Sequence, residues 1–189
     1  MFDRLIAFGC SWTSGRGIIK PVSQDYPHLA WPMHLAGILE ADCLNLGKGG
    51  SSAKRVWKTA LDFKDYRKTD LVIFLWPYIH RSCFFTEKKI MDIRPDVTAK
   101  YSLAYYKFLY NETDSKIDWS LRVDHINDFL KDKVFRILNF SNIGTQEDFC
   151  KAKILQSMND VVDEYGTNDE GHPNELGHRE IANRMKAFI

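Results

Sequence analysis

The sequence predicts a doubly wound α/β domain, a three-layer α/β/α sandwich around a parallel sheet. Three observations lead there. Short apolar runs alternate with amphipathic helical patterns along the chain, the grammar of strands joined by helices. One run, Leu71-Val72-Ile73-Phe74-Leu75-Trp76, is apolar at every position, as a strand covered by helices on both faces must be. The 189 residues contain no internal repeat, low-complexity tract or dividing linker, so a single domain over 1–189 is expected.

The elements follow in order. Leu5-Ile6-Ala7-Phe8, stopped by Gly9, reads as a first buried strand. Trp31 to Leu39 has a helical pattern in which Pro32 is tolerated within the first turn. Cys43-Leu44-Asn45-Leu46 is a second short strand closed by Gly47. Ser51 or Ser52 can cap a helix to about Phe63 that gathers Val56, Ala60 and Phe63 on one face. The Leu71–Trp76 strand ends at Pro77. An aromatic-rich helical insertion is expected at about 80–132, with patterns near Tyr101–Tyr110 and Trp119–Leu130. Tyr101, Tyr105 and Phe108 share one face of the first pattern, and Tyr106 and Tyr110 another. Val134 to Leu138 is a fourth strand. The segment from Glu147 to Tyr165 reads as mostly helical, with no convincing fifth strand. The tail is an amphipathic helix from Glu175 to Ile189, capped by Asn174.

Composition narrows the partners. Lysines and arginines number 26 against 25 acidic residues, a net charge of +1. Nothing there draws a polyanion from a distance, so no nucleic-acid partner is expected. Hydrophobic residues at 44% and charged residues at 27% are those of a soluble globular chain, which excludes disorder and a disulfide-dense scaffold. The longest apolar run is far too short to span a bilayer. The opening Met1-Phe2-Asp3-Arg4 lacks the pattern of a signal peptide. Cys10, Cys43, Cys83 and Cys150 are scattered without a CxxC pair. Reduced thiols and a cytoplasmic location are therefore expected. The aromatic share of 13% is the one excess.

In an open parallel sheet, ligands bind beyond the carboxyl ends of the strands. The first end carries Gly9-Cys10-Ser11-Trp12-Thr13, a hydroxyl just past a strand. The second carries Gly47-Lys48-Gly49-Gly50-Ser51, whose glycines let backbone N–H groups approach a ligand. Lys48 precedes those glycines, the wrong order for a phosphate-binding P-loop. Gly15-Arg16-Gly17 lacks the third glycine of a dinucleotide fingerprint and reads as a loop. Near the C-terminus, Asp169 and His172 stand three apart before the final helix. A serine, a histidine base and a carboxylate that fixes its tautomer are the parts of an acyl-transfer site. Cys10 is the rival nucleophile, but strand alternation would turn it away from Ser11, so it reads as packed. His178 reads as packing for the last helix; with His172 it has no third metal ligand nearby.

At these residues the chain resembles the SGNH/GDSL hydrolases, which implies a flavodoxin-like sheet and ester hydrolysis. Phe8-Gly9-Cys10-Ser11-Trp12-Thr13 matches the family's first block, with Cys10 for the usual Asp and Trp12 for the usual Leu. Asn45-Leu46-Gly47-Lys48-Gly49-Gly50-Ser51 matches the second, and Asp169-Glu170-Gly171-His172-Pro173-Asn174 the last. The third block departs: Trp76-Pro77-Tyr78-Ile79 places Tyr78 where the family has asparagine. The resemblance implies Ser11 as nucleophile, His172 as base, Asp169 as its orienting acid, and the N–H groups of Ser11 and Gly50 as an oxyanion hole. It implies no cofactor and no metal. The third oxyanion donor is left to Tyr78 O–H, to His80, or to nothing. The implied partner is a small-molecule or carbohydrate ester such as an O-acetyl sugar, and the near-neutral charge suits an uncharged one. The alternative is a non-catalytic binding module on the same fold.

Overall fold

The computed structural model describes residues 2–19, 23–142, 150–168 and 171–189. Five parallel strands form the central sheet: β1 (Arg4–Gly9), β2 (Asp42–Asn45), β3 (Asp70–Trp76), β6 (Arg136–Ser141) and β7 (Ile154–Ser157), in the order β2-β1-β3-β6-β7. The chain leaves β1 for one neighbour, β2, and returns on its other side as β3. This reversal of strand order opens a crevice above the carboxyl ends of β1 and β3.

Strand periodicity explains why the central runs are apolar throughout. Leu5 and Ala7 of β1, with Leu71, Ile73 and Leu75 of β3, face one helical layer. That layer comprises α2 (Trp31–Leu39), α6 (Asp160–Tyr165) and α7 (Glu175–Lys186). Ile6, Phe8, Val72, Phe74 and Trp76 face the other, built from α3 (Ala53–Asp62) and α5 (Glu112–Leu130). Each alternate residue has its own core to enter. Much of the aromatic excess fills the second layer. Phe8, Phe74 and Trp76 stack at 5.1 and 5.0 Å, and Trp119 closes the row edge-on at 6.0 Å.

The helix ends follow the capping residues. Ser52 accepts from the N–H of Arg55 at 3.3 Å to start α3, Asn111 from Asp114 at 3.0 Å to start α5, and Asn174 from Gly177 at 2.9 Å to start α7. Arg4 and Asp70 pair at the amino ends of β1 and β3, with contacts of 2.8 and 2.9 Å and the carboxylate fully buried. That pair lies at the end of the sheet opposite the crevice.

Two expectations need correction. The stretch at 80–132 is not wholly helical: it opens with an antiparallel hairpin, β4 (Ser82–Phe85) and β5 (Ile90–Ile93), before α4 (Lys100–Phe108) and α5. Its strands are short, and Phe84, Phe85 and Ile90 are exposed, so no clean alternation marks them. α5 is the covering helix of the sheet, burying Trp119, Val123, Ile126 and Leu130. The segment expected to be helical up to Tyr165 contains β7 and only a short helix, α6, within its described residues. Ile154 and Leu155 enter opposite core layers. Two adjacent apolar residues do not reveal by spacing alone whether they share a helical stripe or straddle a sheet.

Candidate functional site

Ser11 owes its position to an abrupt turn. β1 ends at Gly9 and the chain enters α1 (Ser11–Ser14) one residue later. A Cβ at Gly9 would lie 2.0 Å from Thr13 Oγ1 and 2.9 Å from the Leu75 carbonyl, so only glycine permits this return. The Cys10 carbonyl accepts from the N–H groups of Thr13 and Ser14 at 3.0 and 2.9 Å. Ser11 itself is only 2% exposed. Cys10 is packed, as expected, but not by strand alternation, because Ser11 already belongs to a helix. The Ser11 hydroxyl lies 3.9 Å from Cys10 Sγ, and Asn142 Nδ2 donates to the same sulfur at 3.2 Å. Asn142, just past β6, is fully buried; an asparagine after a strand gave no signal in the sequence.

The glycine loop after β2 is fastened to α1 by Asn45. Its Oδ1 accepts from the Gly47 N–H at 3.0 Å and its Nδ2 donates to the Thr13 carbonyl at 2.7 Å. Gly50 has φ of +78°, a conformation that favours glycine. The vacant side-chain direction at Gly50 is filled by Arg94, whose Nη1 would be 3.2 Å from a Cβ there.

Beyond β3, Trp76 remains in the core, its indole N–H donating to Asn139 Oδ1 at 3.0 Å. Tyr78 lines the crevice. The His80 ring stacks on Tyr78 at 5.3 Å, and the Arg81 guanidinium also lies 5.3 Å from it. Burial, and next the neighbouring Cys10, raise the Tyr78 phenol above its usual range, which keeps its O–H a donor. Burial, and then Arg81, lower His80. Of these two residues, only Tyr78 reaches the crevice that holds Ser11.

His172 stands beside Pro173, which forms an antiparallel bridge with Thr167. Asn168 and His172 exchange hydrogen bonds: the Asn168 N–H donates to the His172 carbonyl at 2.9 Å, and the His172 N–H donates to Asn168 Oδ1 at 3.1 Å. Asn168 Nδ2 also donates to the Gly17 carbonyl at 2.7 Å. Asn168 thereby links His172 to the loop that follows α1. Asp169 lies outside the described residues. His178 is buried in α7 and caps α2, its Nδ1 accepting from the Trp31 N–H at 3.3 Å. Burial pushes its pKa down to about 3.

Ser11, Gly50, Tyr78 and His172, from four separate parts of the chain, line one cleft of about 390 Å³. Its remaining wall is cationic. Arg16, Arg81 and Arg94 line it, with Asp96 as the acid among the described lining residues. Sequence reading passed over these arginines. Arg16 stood in an unremarkable loop, and Arg81 and Arg94 stood in a segment whose hairpin was not foreseen. Among the described residues no group of three or more His, Cys, Asp or Glu is placed to hold a metal ion, and no helix is long and apolar enough to cross a membrane. The four cysteines are free thiols.

By sequence, no family model and no curated protein matches the chain. By structure, it is similar to an acetyl xylan esterase from the rumen bacterium Butyrivibrio proteoclasticus, with a TM-score of 0.62 at 13% identity. That match covers 100% of this chain and 64% of the esterase chain, so this chain spans less than two thirds of that protein. It is also similar to an acetylxylan esterase from Geobacillus stearothermophilus, solved as a catalytic mutant, with a TM-score of 0.58 at 14% identity, covering 98% and 93% of the two chains. A member of the lipolytic G-D-S-L family from Veillonella parvula matches with a TM-score of 0.54 at 12% identity, covering 97% and 96%. With its five-stranded parallel sheet between helical layers, the chain has the α/β fold of the GDSL, or SGNH, hydrolases.

Proposed function

We propose that this protein is a serine-dependent ester hydrolase acting on a small or carbohydrate-borne ester. The observation that carries the reading is the convergence of Ser11, Gly50 and His172 on one cleft. The esterase neighbours support it, and the acetyl xylan esterases among them favour an O-acetylated sugar.

In this reading Ser11 Oγ attacks the ester carbonyl carbon while His172 takes its proton. The carbonyl oxygen becomes an oxyanion held by the N–H groups of Ser11 and Gly50 and by the Tyr78 O–H. As the first residue of a helix, Ser11 has an N–H with no acceptor inside that helix. The tetrahedral intermediate collapses, the C–O bond to the alcohol breaks, and the alcohol leaves with the proton from His172. Water, deprotonated by His172, then releases the acid from Ser11. Asp169 holds the imidazole in the tautomer this needs.

The test is hydrolysis of 4-nitrophenyl acetate and of acetylated xylose by the wild type and by Ser11→Ala. Loss of turnover to background in a variant that unfolds like the wild type supports the reading. Equal turnover by both proteins overturns it. Tyr78 in place of an asparagine favours a second reading, a binding module without turnover. Tight sugar binding by both proteins with no hydrolysis by either supports that one.

A further inference from the structure

We propose that the cleft selects esters carrying an anionic group, a carboxylate or another oxyanion, which Arg81 and Arg94 bind beside the reacting carbonyl. This inference rests on the ester-hydrolase reading above.

The two arginines are poorly satisfied by the protein itself. Arg81 has no ion-pair partner among the described residues, and its Nη1 is buried without an acceptor. Arg94 meets Asp96 only at 3.6 Å, with the Asp96 side chain 67% exposed, and its Nε is likewise buried without an acceptor. A buried guanidinium N–H lacking an acceptor is costly, and an oxyanion is the group whose geometry matches it. Arg55 shows the contrasting, structural case: its Nη1 lies 2.6 Å from Asp92 Oδ2, and that pair fastens the hairpin to α3.

Both arginines are also held in place. Each follows directly on a residue whose carbonyl faces the Tyr106 hydroxyl: it donates to the carbonyl of His80 and reaches that of Ile93 at 3.4 Å. Tyr106 thus clamps the backbone just ahead of Arg81 and of Arg94. The Arg81 guanidinium rests on the Tyr78 ring, and that of Arg94 lies against Gly50. A bound anion would therefore sit next to the oxyanion hole, with little side-chain freedom left to lose. A groove of about 370 Å³ shares Arg16, Gly50 and Arg94 with the cleft and runs along β5 to Tyr101. It offers room for the rest of the substrate. The net charge of +1, which suited an uncharged ester, averages over the whole surface and conceals this local cationic wall.

The experiment uses a matched pair, 4-acetoxybenzoate and its methyl ester, for hydrolysis. The amides 4-acetamidobenzoate and 4-acetamidobenzamide serve for binding by calorimetry. In the wild type, kcat/KM is expected to favour the carboxylate, and the preference should fall about tenfold or more in Arg81→Gln and in Arg94→Gln. Asp96→Asn, which removes the competing acid, should raise it. Selective binding of 4-acetamidobenzoate without hydrolysis of either ester would support the anion site and defeat the hydrolase reading. Hydrolysis of both esters with no preference, unchanged in all three variants, would overturn the anion site and leave the hydrolase standing. Equal losses on both esters in Arg94→Gln would overturn its role in selecting the anion. Neither binding nor hydrolysis would overturn both.

Discussion

Asn168 grips both backbone polar groups of His172: the Asn168 N–H donates to the His172 carbonyl at 2.9 Å, while Asn168 Oδ1 accepts from the His172 N–H at 3.1 Å. The same side chain donates to the carbonyl of Gly17 at 2.7 Å, two residues past the cap of the helix that carries Ser11. One residue therefore ties the backbone of the proposed base to the loop that follows the proposed nucleophile's helix.

Asn168→Ala is expected to lower kcat by roughly ten- to a hundredfold with little change in KM, because misplacing a catalytic group costs rate more than binding. Asn168→Asp keeps the acceptor for His172 and loses the donor to Gly17, so its kcat should fall between the two. Steady-state kinetics on 4-nitrophenyl acetate check this. A change confined to KM would contradict it.

Tyr78 supplies the third oxyanion donor in this account. Tyr78→Phe keeps the ring beneath Arg81 and removes only the hydroxyl, and it should reduce kcat by about a hundredfold. Turnover measured at saturating substrate decides this, with wild-type kcat in the variant as the contrary result. Replacing His80 by Gln should have a much smaller effect, since His80 stacks on Tyr78 without lining the cleft.

The parts of this molecule differ in how openly the sequence announces them. β1 and β3 are legible because both faces are buried, so Leu5–Phe8 and Leu71–Trp76 are apolar throughout, and because Gly9, ending β1, sits where a Cβ would collide with Thr13. Gly50 is legible for a related reason, its φ of +78° restricting residue type. The hairpin β4–β5 is not, because it leaves Phe84 and Phe85 exposed at 44% and 38% and makes no core of its own. β7 is hidden because it contributes few buried side chains. The cationic wall was invisible because Arg81 and Arg94, on either side of that hairpin, meet only through tertiary structure.

Fold stability can be probed away from the cleft. Asp70 is fully buried and takes two contacts from Arg4, whose guanidinium its carboxylate holds above the usual range. Asp70→Ala leaves Arg4 only the largely exposed Asp65, at 2.9 Å, so the expected cost is about 1.5–3 kcal/mol, that of lost hydrogen bonds to a charged group. Urea unfolding should show this loss, while the surviving folded protein keeps its kcat.

His178 gives the fold a pH dependence. Its folded pKa of about 3 lies below the ordinary 6.5, so the unfolded chain takes up this proton first as pH falls. Its contribution to stability is intact above about 6.5 and is lost toward 3, at about 1.4 kcal/mol per pH unit. Unfolding free energies at pH 7, 6 and 5 should fall more steeply in the wild type than in His178→Gln. Parallel slopes would contradict the assignment.

The central claim is that Ser11 is a nucleophile in a working acyl-transfer site. The most direct measurement is reaction of the intact protein with a fluorophosphonate, followed by mass spectrometry of its peptides. The account predicts a single phosphonyl adduct on Ser11, absent in His172→Ala because the base is gone. A folded protein that stays unlabelled, or one labelled equally well without His172, would contradict it.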